Sequence, residues 1–140
     1  MTGTVSLSTE YARRVIDAAL ARAEELGVSV AISVVDDAGH LKAFARMDGS
    51  SFFSNGLATN KAITSAGLGA ATQDFMEFAA GIPPLLTGLA AQPNVAILPG
   101  GAPITIDGVV VGAIGVAGGK GGEDHPIAEA GLAALAPVGA

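Results

Sequence analysis

The chain contains no cysteine, which excludes disulfide scaffolds, thiolate metal sites and a cysteine nucleophile. Basic residues are scarce as well. Seven Lys and Arg face thirteen Asp and Glu, for a net charge of −6 and a pI near 4.6. Nucleic-acid affinity depends on clustered cations, and these seven are scattered, so no nucleic-acid partner is expected. Residues 78–106 carry no charge at all. Pro83, Pro84, Pro93, Pro99 and Pro103 interrupt that stretch, and proline breaks a continuous helix, so no membrane span is expected. Met1 to Ser8 lacks a basic region followed by an apolar run; no secretory signal is read there and a cytoplasmic location is expected.

What is present is apolar. Half of the 140 residues are hydrophobic, 14% are charged and the mean hydropathy is +0.54. This length suits one domain with one core, spanning 1–140 with loose ends at 1–7 and 137–140. A surface this small cannot hide so much apolar material, so identical subunits are expected to cover part of it.

The periodicities give an order of elements. Ala12, Val15, Ile16, Ala19, Leu20, Ala23 and Leu26 recur at three- and four-residue steps, which predicts an amphipathic helix from Ser8, its N-cap, to the stop at Gly27. Val28 to Val35 alternates as a strand, with Val28, Val30, Ile32 and Val34 on one face and Ser29, Ala31 and Ser33 on the other. Asp36-Asp37-Ala38-Gly39-His40 reverses the chain. In the next strand, Leu41 to Met47, the pattern puts Lys42, Phe44 and Arg46 opposite Leu41, Ala43, Ala45 and Met47. Asn55 to Leu68 reads as a helix, Thr72 as the cap of a short one, and Gly81 to Leu89 as irregular or briefly helical. Val95 to Leu98 reads as a short strand. Asp107-Gly108 fits a type I′ turn between Ile104–Ile106 and Val109–Val116, with Gly112 and Gly115 letting a helix pack closely. Ile127, Ala128, Gly131, Leu132 and Leu135 mark a last helix. Together these predict an α+β layered domain around an antiparallel five-stranded sheet.

The densest chemistry lies near the C-terminus, in Pro99-Gly100-Gly101-Ala102-Pro103 and in Gly118-Gly119-Lys120-Gly121-Gly122-Glu123-Asp124-His125. Glycine exposes main-chain N–H groups, and the first helical turn adds unpaired ones, so this block is the expected wall of a pocket. It lacks the GxxxxGK[ST] order of a phosphate loop, and two histidines without HxxxH or HExxH spacing make no zinc signature.

Several stretches resemble one family in order: Val34-Val35-Asp36-Asp37-Ala38-Gly39-His40-Leu41, Arg46-Met47-Asp48-Gly49, Asn60-Lys61-Ala62, Gly100-Gly101-Ala102-Pro103-Ile104, Asp107 to Val116, and Asp124 followed by Ala128-Glu129-Ala130-Gly131-Leu132. This set resembles the GlcG/HbpS family of small heme-binding proteins, whose domain is also the C-terminal module of PduO-type corrinoid adenosyltransferases. The resemblance implies a profilin-like sandwich assembled as a homo-oligomer, with heme or a related planar, carboxylate-bearing ligand. Where the family carries a Ser-Gly motif before the acid, this chain has Ala117 to Gly122, and it adds His125-Pro126 after it.

The candidate residues each carry two readings. His40 is either an axial ligand of heme iron or a solvated turn residue. Arg46 and Lys61 offer cations for ligand carboxylates, and Phe44, Phe52 and Phe53 offer apolar surface. Lys61, in an otherwise apolar helix, is a ligand contact or desolvated base, or a surface lysine whose stem covers its neighbours. Asp124 is either a proton acceptor or an N-cap. Two functional classes follow. The first is a heme-type small-molecule binder using His40, Arg46, Phe52, Lys61, Gly100, Gly101, Glu123 and Asp124. The second is an isomerase, lyase or cyclase without a cofactor, in which Lys61, Asp124 and His125 move protons on a small oxo-acid.

Overall fold

The computed structural model describes residues 5–120 and 122–135; the expectations placed on 1–4, Gly121 and 136–140 lie outside them. The order is α1 (Thr9–Leu26), β1 (Ala31–Asp36), β2 (Leu41–Arg46), α2 (Phe53–Leu68), α3 (Thr72–Ala80), α4 (Pro83–Ala90), β3 (Gly101–Ile106), β4 (Val109–Ala117) and α5 (Asp124–Ala133). α1 begins and ends where its caps dictate. The Ser8 hydroxyl accepts from the Tyr11 N–H at 3.0 Å, and Gly27 takes the left-handed conformation at φ 70°.

The sheet has four antiparallel strands in the order β2-β1-β4-β3, not five. The missing strand is Val95 to Leu98, which forms no ladder. There the Ala96 N–H donates to the Thr64 hydroxyl of α2 at 2.9 Å, so this backbone is tied to a helix side chain and not to a strand edge. Asp107 (φ 51°) and Gly108 (φ 77°) are both left-handed, as a type I′ turn requires.

Both faces of the sheet are covered, which is why β1 is buried along nearly its whole length. Val30, Ile32 and Val34 pack with Ile114, Val116, Val15, Ile16 and Ile127 beneath α1 and α5. Each such fully buried aliphatic contributes roughly 1.5–3 kcal/mol. The other face is lined by small residues: Ala31, Ala58 and Ala117 in one cluster, and Val35, Ala62 and Ala113 in another. This brings the α2 backbone close to the strands. A methyl carbon on Gly115 would land on the Ala58 carbonyl oxygen and 2.6 Å from the Ala62 nitrogen. Gly112, expected to serve the same purpose, instead faces its neighbouring strand at Val35 and the side chain of Leu7. Leu7, within the stretch expected to be loose, is buried in the core.

Two further expectations change. β2 and β1 slip register between Val34 and Val35, so Leu41 pairs with Val35 while Ala43 pairs with Val34. A bulge shifts the alternation by one residue, and Leu41 therefore joins Phe44 on the α2 side of the sheet. Thr72 does not cap α3. Ala71 occupies that position, and the Thr72 hydroxyl accepts from the Gly101 N–H at 2.9 Å while donating to the Leu98 carbonyl at 2.5 Å.

Candidate functional site

α2 and the start of α5 meet at the end of the sheet where β4 finishes. The Lys61 ammonium donates to the Val116 carbonyl at 2.8 Å and to Asp124 Oδ2 at 3.1 Å. Asp124 Oδ1 accepts from the Gly119 N–H at 2.8 Å, and Glu123 Oε1 accepts from the Lys120 N–H at 2.8 Å. Gly100 is packed into the same knot: a side chain there would collide with the Val116 carbonyl oxygen and lie 3.1 Å from both Asp124 Cβ and Lys61 Cδ. The sequence expectation that Lys61, Asp124, Gly100 and Gly101 converge is met.

What converges is closed. Lys61 is 2% exposed, neither a half-open ligand contact nor a surface lysine. Burial pushes its pKa below the usual 10.5, the Asp124 charge and hydrogen bond pulling the other way. The glycine N–H groups expected to face a ligand are occupied within the protein, Gly101 by Thr72 and Gly119 by Asp124. Asp124 is also not the N-cap. Glu123 holds that position with no side-chain cap bond, and Asp124 opens the helix while its carboxylate reaches back to the loop and to Lys61. His125 Nε2 sits 3.5 Å from Glu129 on its own helix, turned to a different partner. Nothing in this arrangement supports proton transfer to a substrate by Lys61, Asp124 and His125.

His40 lies at the other end. Asp36 pairs with Gly112 in β4, whereas the Lys61 contact Val116 pairs with Ile32; four residues of strand, about 13 Å, separate the two levels, and His40, whose carbonyl accepts from the Asp36 N–H at 2.8 Å, faces Asp36 across the turn. Its side chain is 79% exposed, with Nδ1 3.6 Å from Asp36 Oδ2. The turn holds that carboxylate firmly: the N–H groups of His40 and Ala38 both donate to Asp36 Oδ1 at 2.9 Å. The His40 N–H is the main reason the Asp36 pKa falls below its ordinary value.

Along β2 from His40, Leu41 (58%) and Phe44 (38%) remain exposed, since α2 packs on β4, β1 and β3. Arg46, farther along, donates to the Ser50 carbonyl at 3.3 Å. Just beyond, Phe52 and Phe53 stack at 4.7 Å and are three-quarters exposed. The predicted residues therefore fall into two sets: His40, Arg46 and Phe52 along the open flank of β2 and α2, and Lys61, Gly100, Gly101 and Asp124 in the buried knot. Among the described residues no group of three His, Asp or Glu could hold a metal ion, and no helix is long and apolar enough to cross a membrane.

Sequence reading missed a cleft of about 360 Å³ between the α2 start and the 118–120 loop, lined by Ser29, Ser50, Ser51, Ser54, Gly118 and Lys120 among others. The available signal was Ser50-Ser51 before an apolar helix; what hid the cleft is that Ser29 and Gly118 come from remote segments.

The sequence profile described as "Haem degrading protein HbpS-like" matches residues 7–133. The chain belongs to the HbpS-like family. A double mutant of HbpS from Streptomyces reticuli superimposes with a TM-score of 0.87 at 34% identity, over 98% of this chain and 92% of that one. A complex of PduOC with heme gives a TM-score of 0.85 at 31% identity, over 94% and 96%. GlcG of Escherichia coli K12 is 35% identical over 112 residues, 80% of this chain and 81% of its own length. The family resemblance read from the ordered motifs is thereby established, and one of the structural neighbours is a complex with heme.

Proposed function

We propose that this protein binds heme, or a closely related planar, carboxylate-bearing ligand, on the exposed flank of β2, with His40 as the iron ligand. The observation that carries the reading is the presentation of His40: one of only two histidines in the chain, its ring is exposed while Nδ1 faces the Asp36 carboxylate. A carboxylate behind one ring nitrogen orients the imidazole and leaves Nε2 for a metal. Leu41 and Phe44 supply apolar contact for a macrocycle, and Arg46 a cation for a ligand carboxylate. Heme brings an iron with open axial positions; these residues bind and orient it. The similarity to a PduOC heme complex supports the same reading.

Hemin titration tests it. A saturable Soret shift is expected that His40→Ala abolishes and His125→Ala retains; an identical shift in wild type and His40→Ala would remove the axial assignment.

The same reading includes self-association. α4 buries none of its residues, and Phe78, Ile82 and Leu98 are exposed within the uncharged 78–106 stretch. Two copies of a chain with net charge −6 approach most easily through a surface that carries no charge. Light scattering on the purified protein is expected to give a multiple of the 13.7 kDa chain mass, and Phe78→Asp to lower it. A monomer at all concentrations would count against this interface.

A further inference from the structure

We infer that Arg13 and Lys42, in a cleft between α1 and β2, hold the carboxylates of the ligand whose ring lies on the flank of β2, so that the site selects macrocycles with free acid arms. This inference rests on the heme reading above. Simple alternation along β2 would turn Lys42 to the side of Phe44 and Arg46, but the bulge between β1 and β2 intervenes. Val34 pairs with Ala43 and Val35 with Leu41, which leaves Lys42 as the inserted residue with no partner on β1. A bulge at a sheet edge re-aims a side chain. β2 is such an edge, and Lys42 lines a cleft of about 440 Å³ together with Arg13 and Asp17 of α1.

Both cations are uncommitted. Among the described residues, Arg13 and Lys42 form no ion pair and donate no side-chain hydrogen bond. Asp17, the acid that lines the same cleft, is in contact with neither. By contrast Arg14 donates to the Ala134 carbonyl, Arg22 pairs with Glu25, Arg46 donates to the Ser50 carbonyl, and Lys61 is held by Val116 and Asp124. A carboxylate entering the cleft would therefore gain charge-assisted hydrogen bonds without displacing any that exist. Phe44 decides the class of ligand. It lines the cleft and is also exposed on the flank of β2, so apolar surface for a ring runs directly into the two cations. Heme carries two carboxylates, and Arg46 alone offers one cation for them on the flank. In a chain of net charge −6, two neighbouring cations without partners also draw an anionic ligand to this edge of the sheet.

The test is hemin titration followed by Soret absorbance, set beside titration with iron protoporphyrin dimethyl ester, which has the same ring and iron but no free acid. Arg13→Gln and Lys42→Gln are each expected to weaken hemin binding about fivefold, and the double variant about twentyfold. The Soret maximum of the bound form should not move, because His40 is intact. Affinity for the ester should be the same in wild type and all three variants. Arg22→Gln, which removes one charge farther along α1 from an exposed pair with Glu25, should bind hemin like wild type. Identical hemin midpoints in wild type and the double variant, or an equal loss in Arg22→Gln, overturn the assignment of these two cations and leave the heme reading standing. No saturable shift in wild type removes the heme reading itself, and this inference with it.

Discussion

Gly115→Ala is expected to destabilise the fold by about 4 kcal/mol or more, beyond the usual 1–3 kcal/mol of an overpacked core position. The added carbon would strike the Ala58 carbonyl oxygen and crowd the Ala62 nitrogen. Both belong to the α2 backbone, which cannot rotate aside as a side chain can. α2 would have to lift from β4 and β1, opening the Ala31, Ala58, Ala117 and Val35, Ala62, Ala113 contacts together. Total stabilities of domains are about 5–15 kcal/mol, so most of the folded population is at stake. Gly56→Ala is the control: that glycine lies inside α2 with nothing within 4 Å of the added carbon, and the change should stabilise by roughly 0.5–1 kcal/mol. Urea midpoints measure both. Equal midpoints for Gly115→Ala and wild type would mean that α2 does not rest on this strand.

Asp124→Ala is expected to cost about 3–5 kcal/mol, because it strands the buried Lys61 ammonium and removes the acceptor of the Gly119 N–H. Lys61→Met should cost less, since the remaining carboxylate keeps its Gly119 bond and is 17% exposed. The double variant should cost less than the sum of the two. pH supplies a second readout. The folded-state pKa of Lys61 lies below 10.5 because burial outweighs the attraction of Asp124. Between that lowered value and 10.5 the unfolded chain binds more protons than the folded one, so the Lys61 contribution to stability rises with pH across that window. Lys61→Met should lose this slope. Asp124→Ala removes the opposing attraction and moves the window lower, so its deficit should narrow as the solution becomes alkaline. A deficit that stays constant throughout the alkaline range would show that Lys61 remains charged in the folded protein and would refute this account of the pair.

The legible parts of the fold were those whose determinants are local. α1 has its apolar stripe, its Ser8 cap and its Gly27 stop within one segment, and all three appear in place. Asp107-Gly108 demanded two left-handed residues and obtained them. Val95 to Leu98 has the composition of a strand, yet its Ala96 N–H is taken by the Thr64 hydroxyl and the segment joins no ladder. Leu41 was assigned to the wrong face because a bulge depends on how β1 and β2 register, which no alternation within β2 encodes. Thr72 and Asp124 have side chains suited to capping, but each found a stronger claim elsewhere, on Gly101 and on Lys61 with Gly119.

By itself the sequence determined the layered α+β order and the family, because hydrophobic period, turn chemistry and motif order are properties of contiguous residues, whereas the meeting of Lys61 with Asp124 joins segments far apart in the chain. Tertiary structure alone decided which of those groups face solvent. Lys61 is sealed between Val116 and Asp124 because small residues let α2 settle onto the sheet, while the His40 side chain stays exposed at the β1–β2 turn. Exposure depends on what distant segments cover, and that information exists only after the chain has folded.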